Sequence, residues 1–242
     1  MGLAVTFAAI ASSALVLGGL AGASWRAPKT VTGVLLAFAS GSLIAALAFE
    51  LFPEAVEAGG PVRAAAGLLA GAATFVAVNT ALDSRVANAA ADQREKVEQA
   101  ARGVGFALLA AVTLDGVPEN VALGVSLVDG GSLTLLVAIF ASNFPEALVG
   151  AVAMRDEGRS KGFAVGIWAL AAVLLAAAVL IGRVAVAGLS EALLSFLLAF
   201  AGGAVLASLA DTLMPEAFEH GKPWNSFATS VGFFISFVLA NA

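Results

Sequence analysis

The chain has no cysteine, no tyrosine and one histidine in 242 residues. Without cysteine it forms no disulfide, holds no metal through thiolate and offers no thiol nucleophile. A single histidine excludes a multi-histidine metal site. Charge is also scarce: Asp, Glu, Lys and Arg make up 12% of the residues, about half the usual share. The net charge of −5 is small, and there is no basic face of the kind nucleic acid requires. Apolar residues take the space that charge leaves, at 60% of the chain against roughly 45–50% in an ordinary soluble domain. The mean hydropathy is +0.98. These proportions exclude a soluble enzyme of normal surface and a disordered chain. They fit an all-α polytopic membrane protein; the alternating pattern of an outer-membrane barrel is absent.

A helix that crosses hydrocarbon needs about 20 mostly apolar residues. Eight stretches meet that measure: 2–22, 31–52, 62–83, 103–128, 133–154, 162–183, 191–216 and 224–241. They and their short loops use the whole chain, so residues 1–242 read as one transmembrane transport domain with no soluble domain left over. The first stretch ends in AGAS but has no Lys or Arg before it, so it reads as a retained helix and not as a signal peptide. Loop three, 84–102, is the longest polar stretch, and its Ala, Glu, Gln, Lys and Arg content favours a helix. Odd-numbered loops carry ten basic residues, among them Arg26, Lys29, Arg94, Arg155 and Lys222. Even-numbered loops carry only Arg63 and Arg183. Basic loops stay in the cytoplasm, which predicts a multi-pass protein of the cell (inner) membrane with loop 84–102 cytoplasmic and both termini outside. Trp25 and Trp224 fall at helix boundaries and read as interface anchors.

Residues 38–55 (FASGSLIAALAFELFPEA) align with 200–217 (FAGGAVLASLADTLMPEA), with ten identities in eighteen positions. Gly41 meets Gly203, and both copies end in Pro-Glu-Ala. One copy lies on helix two and the other on helix seven, which run in opposite directions through the membrane. The repeat therefore predicts a 3+2+3 arrangement, with helices 1–3 and 6–8 related by a two-fold axis in the membrane plane. Inverted repeats of this kind mark secondary transporters, whose sites lie near mid-membrane.

The unpaired middle helices carry the chemistry. Helix four contains Asp115-Gly116-Val117-Pro118-Glu119-Asn120, and helix five Ser142-Asn143-Phe144-Pro145-Glu146. Asp115 and Glu119 are spaced i, i+4, and Asn143 and Glu146 i, i+3, so each pair shares a helix face. Each mid-helix proline frees the carbonyl four residues earlier, at Leu114 and Ala141, and favours a kink. One ionised carboxylate at the centre of a membrane helix costs roughly 2.5–3.5 kcal/mol. Three clustered like charges also repel. No Lys or Arg lies between 103 and 154 to pair with them. A divalent cation removes both costs, and protons can replace it when the site is empty. Asp115, Glu119, Asn143 and Glu146 are therefore the candidate metal ligands.

Asn120, Ser142, Glu50 and Asp211 are candidates for the ion's path to and from that centre. The repeat sets Glu50 opposite Thr212 and Asp211 opposite Phe49, so these acids are not equivalent. Glu54, Glu216, Asn79 and Asp83 read as interfacial, and His220 as a residue of a polar loop beside Glu219 and Lys222.

At these residues the sequence resembles the ZIP (Zrt/Irt-like) divalent-metal transporters of prokaryotic type, and NFPEA at 143–147 is close to the family's helix-five motif. The resemblance implies eight spans and alternating access, often as a homodimer, carrying zinc, manganese or iron into the cytoplasm. It implies that Glu119 and Glu146 bridge the metal and that Asn143 is a helix-five ligand. Asp115 stands where most members carry His, and Gly116 where they often carry Asn. An all-oxygen set suits Mn²⁺, Mg²⁺ or Fe²⁺ relatively better than a site with imidazole, although Zn²⁺ also accepts carboxylates. The expected partners are the cation and the bilayer, with no nucleic acid and no resident cofactor. An intramembrane enzyme is the first rival, but there is no HExxH and no histidine in a span to activate a serine. A proton-coupled carrier of a small organic solute is the second; helices four and five offer Phe140 and Phe144 but no Arg to hold one. A non-transporting metal sensor is the third.

Overall fold

The computed structural model describes residues 1–91, 116–127, 130–185 and 189–241, with side chains of the third helix described as far as residue 81. These residues are helical throughout apart from short turns, and no strand occurs among them. The helices are α1 (Gly2–Ser24), α2 (Lys29–Gly59), α3 (Pro61–Ala91), α4 (116–126), α5 (Leu133–Asp156), α6 (Lys161–Ala185), α7 (Glu191–Gly221) and α8 (Asn225–Ala240). Six of them are long and apolar enough to cross a membrane: α1, α2, α3, α5, α6 and α7. The stretch 103–115, expected to begin the fourth span, lies outside the described residues. Of loop three, residues 84–91 continue α3 as helix to Ala91; residues 92–102 also lie outside the described residues.

The outer surface is apolar. Val62 is 81% exposed, Phe227 68%, and Leu69, Leu170 and Val173 66% each. Water would oppose such a surface, whereas hydrocarbon is its natural solvent. Several hydroxyls on the helices donate to their own backbone. Thr6 donates to the Gly2 carbonyl, Ser40 to Leu36 and Thr74 to Ala70, each one turn back. That satisfies a polar group without calling on solvent.

Two helices exceed their expected ends. α2 continues through Pro53 to Gly59, and α7 through Pro215 to Gly221. A proline ring clashes with the carbonyl four residues before it and supplies no N–H. Here a π turn takes up the mismatch in both helices, over Leu47–Leu51 and Leu209–Leu213. The amide of Phe52 donates to Leu47, five residues back, and that of Met214 to Leu209. The segments of α2 and α7 thus coincide when the second is shifted by 162 residues, from first residue to last.

Helix contacts repeat in the same way, with a step of 162 residues from α2 to α7 and of 161 from α3 to α8. Gly41 of α2 abuts the Thr229 carbonyl of α8, and Gly203 of α7 abuts the Leu68 carbonyl of α3. Gly232 of α8 abuts the Phe38 carbonyl, and Gly71 of α3 that of Phe200. On the other side, α1 lies parallel to α5, with Gly18 against Phe144 and Gly22 against Leu148. α6 lies on α4, with Gly182 against Val121 and Gly124 against Val179. α2 and α7 are antiparallel: Phe52 meets Gly202, and Gly59 meets Ser195. A methyl group at any of these carbonyl contacts would overlap the facing oxygen, and small residues are what allow membrane helices to approach so closely.

The loops sort by end. Arg26 of the first connection pairs with Asp156 at the close of α5 at 2.9 Å. Gly33, near the start of α2, abuts Gly221 at the end of α7. Connections one, five and seven therefore share one end of the bundle.

Gly41→Ala and Gly203→Ala should each destabilise the fold by about 1–3 kcal/mol, the usual cost of overpacking. Gly166→Ala should change nothing, because a Cβ there has no neighbour within 4 Å. Thermal unfolding in detergent distinguishes the two classes.

Candidate functional site

α4 and α5 form a hairpin. Gly130 and Gly131 take positive φ, +110° and +87°, in the connection. Ser132 then caps α5 by accepting from the Leu135 amide at 2.8 Å, while its own amide donates to Ser126 Oγ at 3.2 Å. Pro145 sits inside α5, which runs unbroken from Leu133 to Asp156.

Most of the expected site residues are inside the protein. Glu119 is 5% exposed and Asn143 1%; Asn120 and Ser142 are fully enclosed, and Glu146 is half-buried. Asp115 lies outside the described residues. Ser142 returns its hydroxyl to the Ile139 carbonyl at 3.1 Å, so its proton is already used within α5. One atom of the Asn143 amide, Nδ2, is buried with no hydrogen-bond partner. Buried polar atoms are nearly always paired, so each exception needs a cause. A half-turn of the amide about χ2 exchanges its nitrogen and oxygen, which gives Asn143 a carbonyl oxygen to present in the same place.

Asn120 is placed differently. Its Nδ2 donates to the Gly116 carbonyl at 2.8 Å, and its Oδ1 is buried without a partner. Gly116 and Gly124, one turn to either side, lie against Leu175 and Val179 of α6. Residues four apart share a helix face, so Asn120 belongs to the face of α4 turned to α6. No acid lies in α6.

The glycine contacts also relate the two Pro-Glu pairs. Gly22 on Leu148 and Gly182 on Val121 are equivalent contacts, and Val121 and Leu148 are 27 residues apart. The same step carries Pro118 onto Pro145 and Glu119 onto Glu146.

The two remaining path candidates, Glu50 and Asp211, lie on the π turns. Glu50 is half-buried in the first. Beside it Phe49 packs edge-on against Phe233 and Phe237, at centroid distances of 5.9 and 5.0 Å. Asp211 is exposed in the second and accepts a hydrogen bond from Asn79 of α3 at 2.6 Å. Asn79, read from sequence as merely interfacial, is thus an interhelical clamp. The signal was weak: one amide near a helix end, 132 residues from its partner. His220 is not in a loop but in the last turn of α7. With Glu216, Asp156, Lys29 and Thr32 it lines a cavity of about 180 Å³ at the end where connections one, five and seven meet.

Among the described residues no group of three or more His, Asp or Glu side chains comes together as a metal cluster. Glu119 and Glu146 are the two carboxylates that the described parts of α4 and the interior of α5 supply. No protein-family model matches the chain, and no curated protein matches it.

The Asn79–Asp211 bond should show a coupling of about 0.6–1.7 kcal/mol, the span found for polar pairs between membrane helices. A double-mutant cycle with Asn79→Ala and Asp211→Ala, read by unfolding in detergent, measures it.

Proposed function

We propose that the chain carries divalent metal cations across the cell (inner) membrane into the cytoplasm, through a mid-membrane site on α4 and α5. One observation carries the reading: Glu119 is an acid buried inside a bundle of apolar helices. An ionisable residue inside a membrane bundle is a functional site by default, and a cation is the counter-charge that fits it. The resemblance of the Pro-Glu helices to ZIP transporters points the same way.

The proposed architecture is eight spans in a 3+2+3 arrangement, with helices 1–3 and 6–8 as an inverted repeat. Its support is the common segmentation of α2 and α7, their antiparallel packing, and the matched glycine contacts. Pseudo-symmetry then makes Glu119 and Glu146 equivalent donors on either side of one axis. The meeting of connections one, five and seven supports a single basic end, which the charge rule assigns to the cytoplasm, with both termini outside.

In this mechanism the ion is the cargo. Glu119, Glu146, Asn143 and Asp115 replace its water with oxygen donors, and its charge offsets theirs. Movement of one repeat against the other turns the site inward. Protonation of the carboxylates on the inner side lowers their hold on the ion and favours release.

In proteoliposomes Glu119→Ala and Glu146→Ala should each reduce metal uptake at least ten-fold while the protein stays folded and monodisperse. Wild-type flux in the double variant would refute the assignment. The assay should span Zn²⁺, Mn²⁺, Fe²⁺, Co²⁺, Cd²⁺ and Mg²⁺, and absence of wild-type flux with every ion would refute metal transport. Asp115→His should shift competition toward Zn²⁺ over Mn²⁺, since imidazole favours zinc. An unchanged ratio would remove Asp115 from the ligand set.

A further inference from the structure

A groove of about 500 Å³ runs between α1 and α6. From α1 it is lined by Ala9, Ser12, Ser13, Val16 and Leu17, and from α6 by Ala169, Ala172, Val173 and Ala176. The two walls match. Ala9 and Ala169, Ser12 and Ala172, Ser13 and Val173, and Val16 and Ala176 are each 160 residues apart, the step that also relates Gly22 to Gly182. The groove is therefore centred on the pseudo-two-fold relation between α1 and α6. Its centre, at Ser13 and Val173, is also the middle of Gly2–Ser24 and of Lys161–Ala185. In helices that span a bilayer, that places it at the hydrocarbon midplane.

The groove opens outward. Leu17 at its rim is 48% exposed and Val173 66%. Small side chains line it, while bulkier apolar neighbours such as Leu170 and Leu174 stand exposed beside it. Its one buried polar atom without a partner is Ser12 Oγ. Rotation about χ1 lets such a hydroxyl return to the carbonyl of the preceding turn, as Thr6 does on the same helix.

We propose that this groove seats the terminal segment of a lipid acyl chain, held between α1 and α6 longer than the lipid that surrounds the rest of the bundle. The occupant follows from the surroundings. The groove has no charged lining residue, it faces outward from span-long apolar helices, and chain ends are what the bilayer supplies at that depth. A void left empty would forfeit the dispersion contacts of its whole lining. The symmetric walls accept a chain from either leaflet. The proposal rests on the membrane-spanning reading and not on the identity of the cargo.

The test uses the full chain in liposomes containing phosphatidylcholine with a photoactivatable diazirine at the acyl terminus. After irradiation, adducts are mapped by mass spectrometry. Residues 9–17 and 169–176 should label several-fold more than the exposed face of α8 around Phe234 and Leu239. Ala172→Trp, which fills the floor, should remove the groove adducts and leave those on α8. Val173→Trp, on the exposed rim where folding is not at stake, should reduce them. Even labelling over all outward faces, or groove labelling unchanged in both variants, would overturn the proposal. Loss of α8 labelling as well would mean that the protein is not in the membrane, a failure of the spanning reading and not of the groove alone.

Discussion

Where two helices cross with a glycine of one set on a carbonyl of the other, the distance between their axes is decided by a side chain that is absent. That contact recurs between α1 and α5, α4 and α6, α2 and α8, and α3 and α7. Lipid tails are as apolar as leucine, so burying leucine against leucine gains little here, and close van der Waals packing must hold the bundle. The crossing geometry follows from these contacts, and the burial of Glu119 and Asn143 follows from the crossings. A carboxylate stays away from hydrocarbon only while the helices around it remain tightly joined.

The two Pro-Glu pairs place an acid next to a proline inside a helix. Proline withdraws an amide from the helix ladder, which leaves local backbone polarity beside the carboxylate. Such polarity is tolerable at membrane depth only if it is enclosed by protein or faces a cavity. On α2 and α7 a second device handles the same problem, since the π turns route hydrogen bonds around Pro53 and Pro215. Proline on these four helices thus marks the places where the backbone is allowed to be imperfect.

Much of this was legible in the sequence because membrane helices write their length in apolar residues. The ends of α1, α5 and α6 lie within about two residues of their expected positions. The repeat between 38–55 and 200–217 foretold a shared shape, and α2 and α7 have it down to the π turn. What sequence did not reveal is how a helix passes a proline, since the π turns before Pro53 and Pro215 leave no mark in the apolar pattern. The roles of Asn79 and Asn120 were also hidden. Each depends on which neighbour an amide meets: Asp211 in one case, the wall of α6 in the other. Periodicity assigns a residue to a face but does not say what stands opposite. Glu119 and Asn143 were legible for the opposite reason: polarity deep in an apolar run is conspicuous whatever surrounds it.

A π turn is an α-helix carrying one residue too many. That surplus need not stay where it is, because shifting the irregularity by one position exchanges one set of backbone hydrogen bonds for another of equal number. Each such step rotates the residue it passes by about 100°, the angle between neighbours on an α-helix. In α2 and α7 the defects sit beside Glu50 and Asp211. A shift of either defect by one position would therefore turn an acidic side chain from one surrounding to another while the rod as a whole kept its place in the bundle.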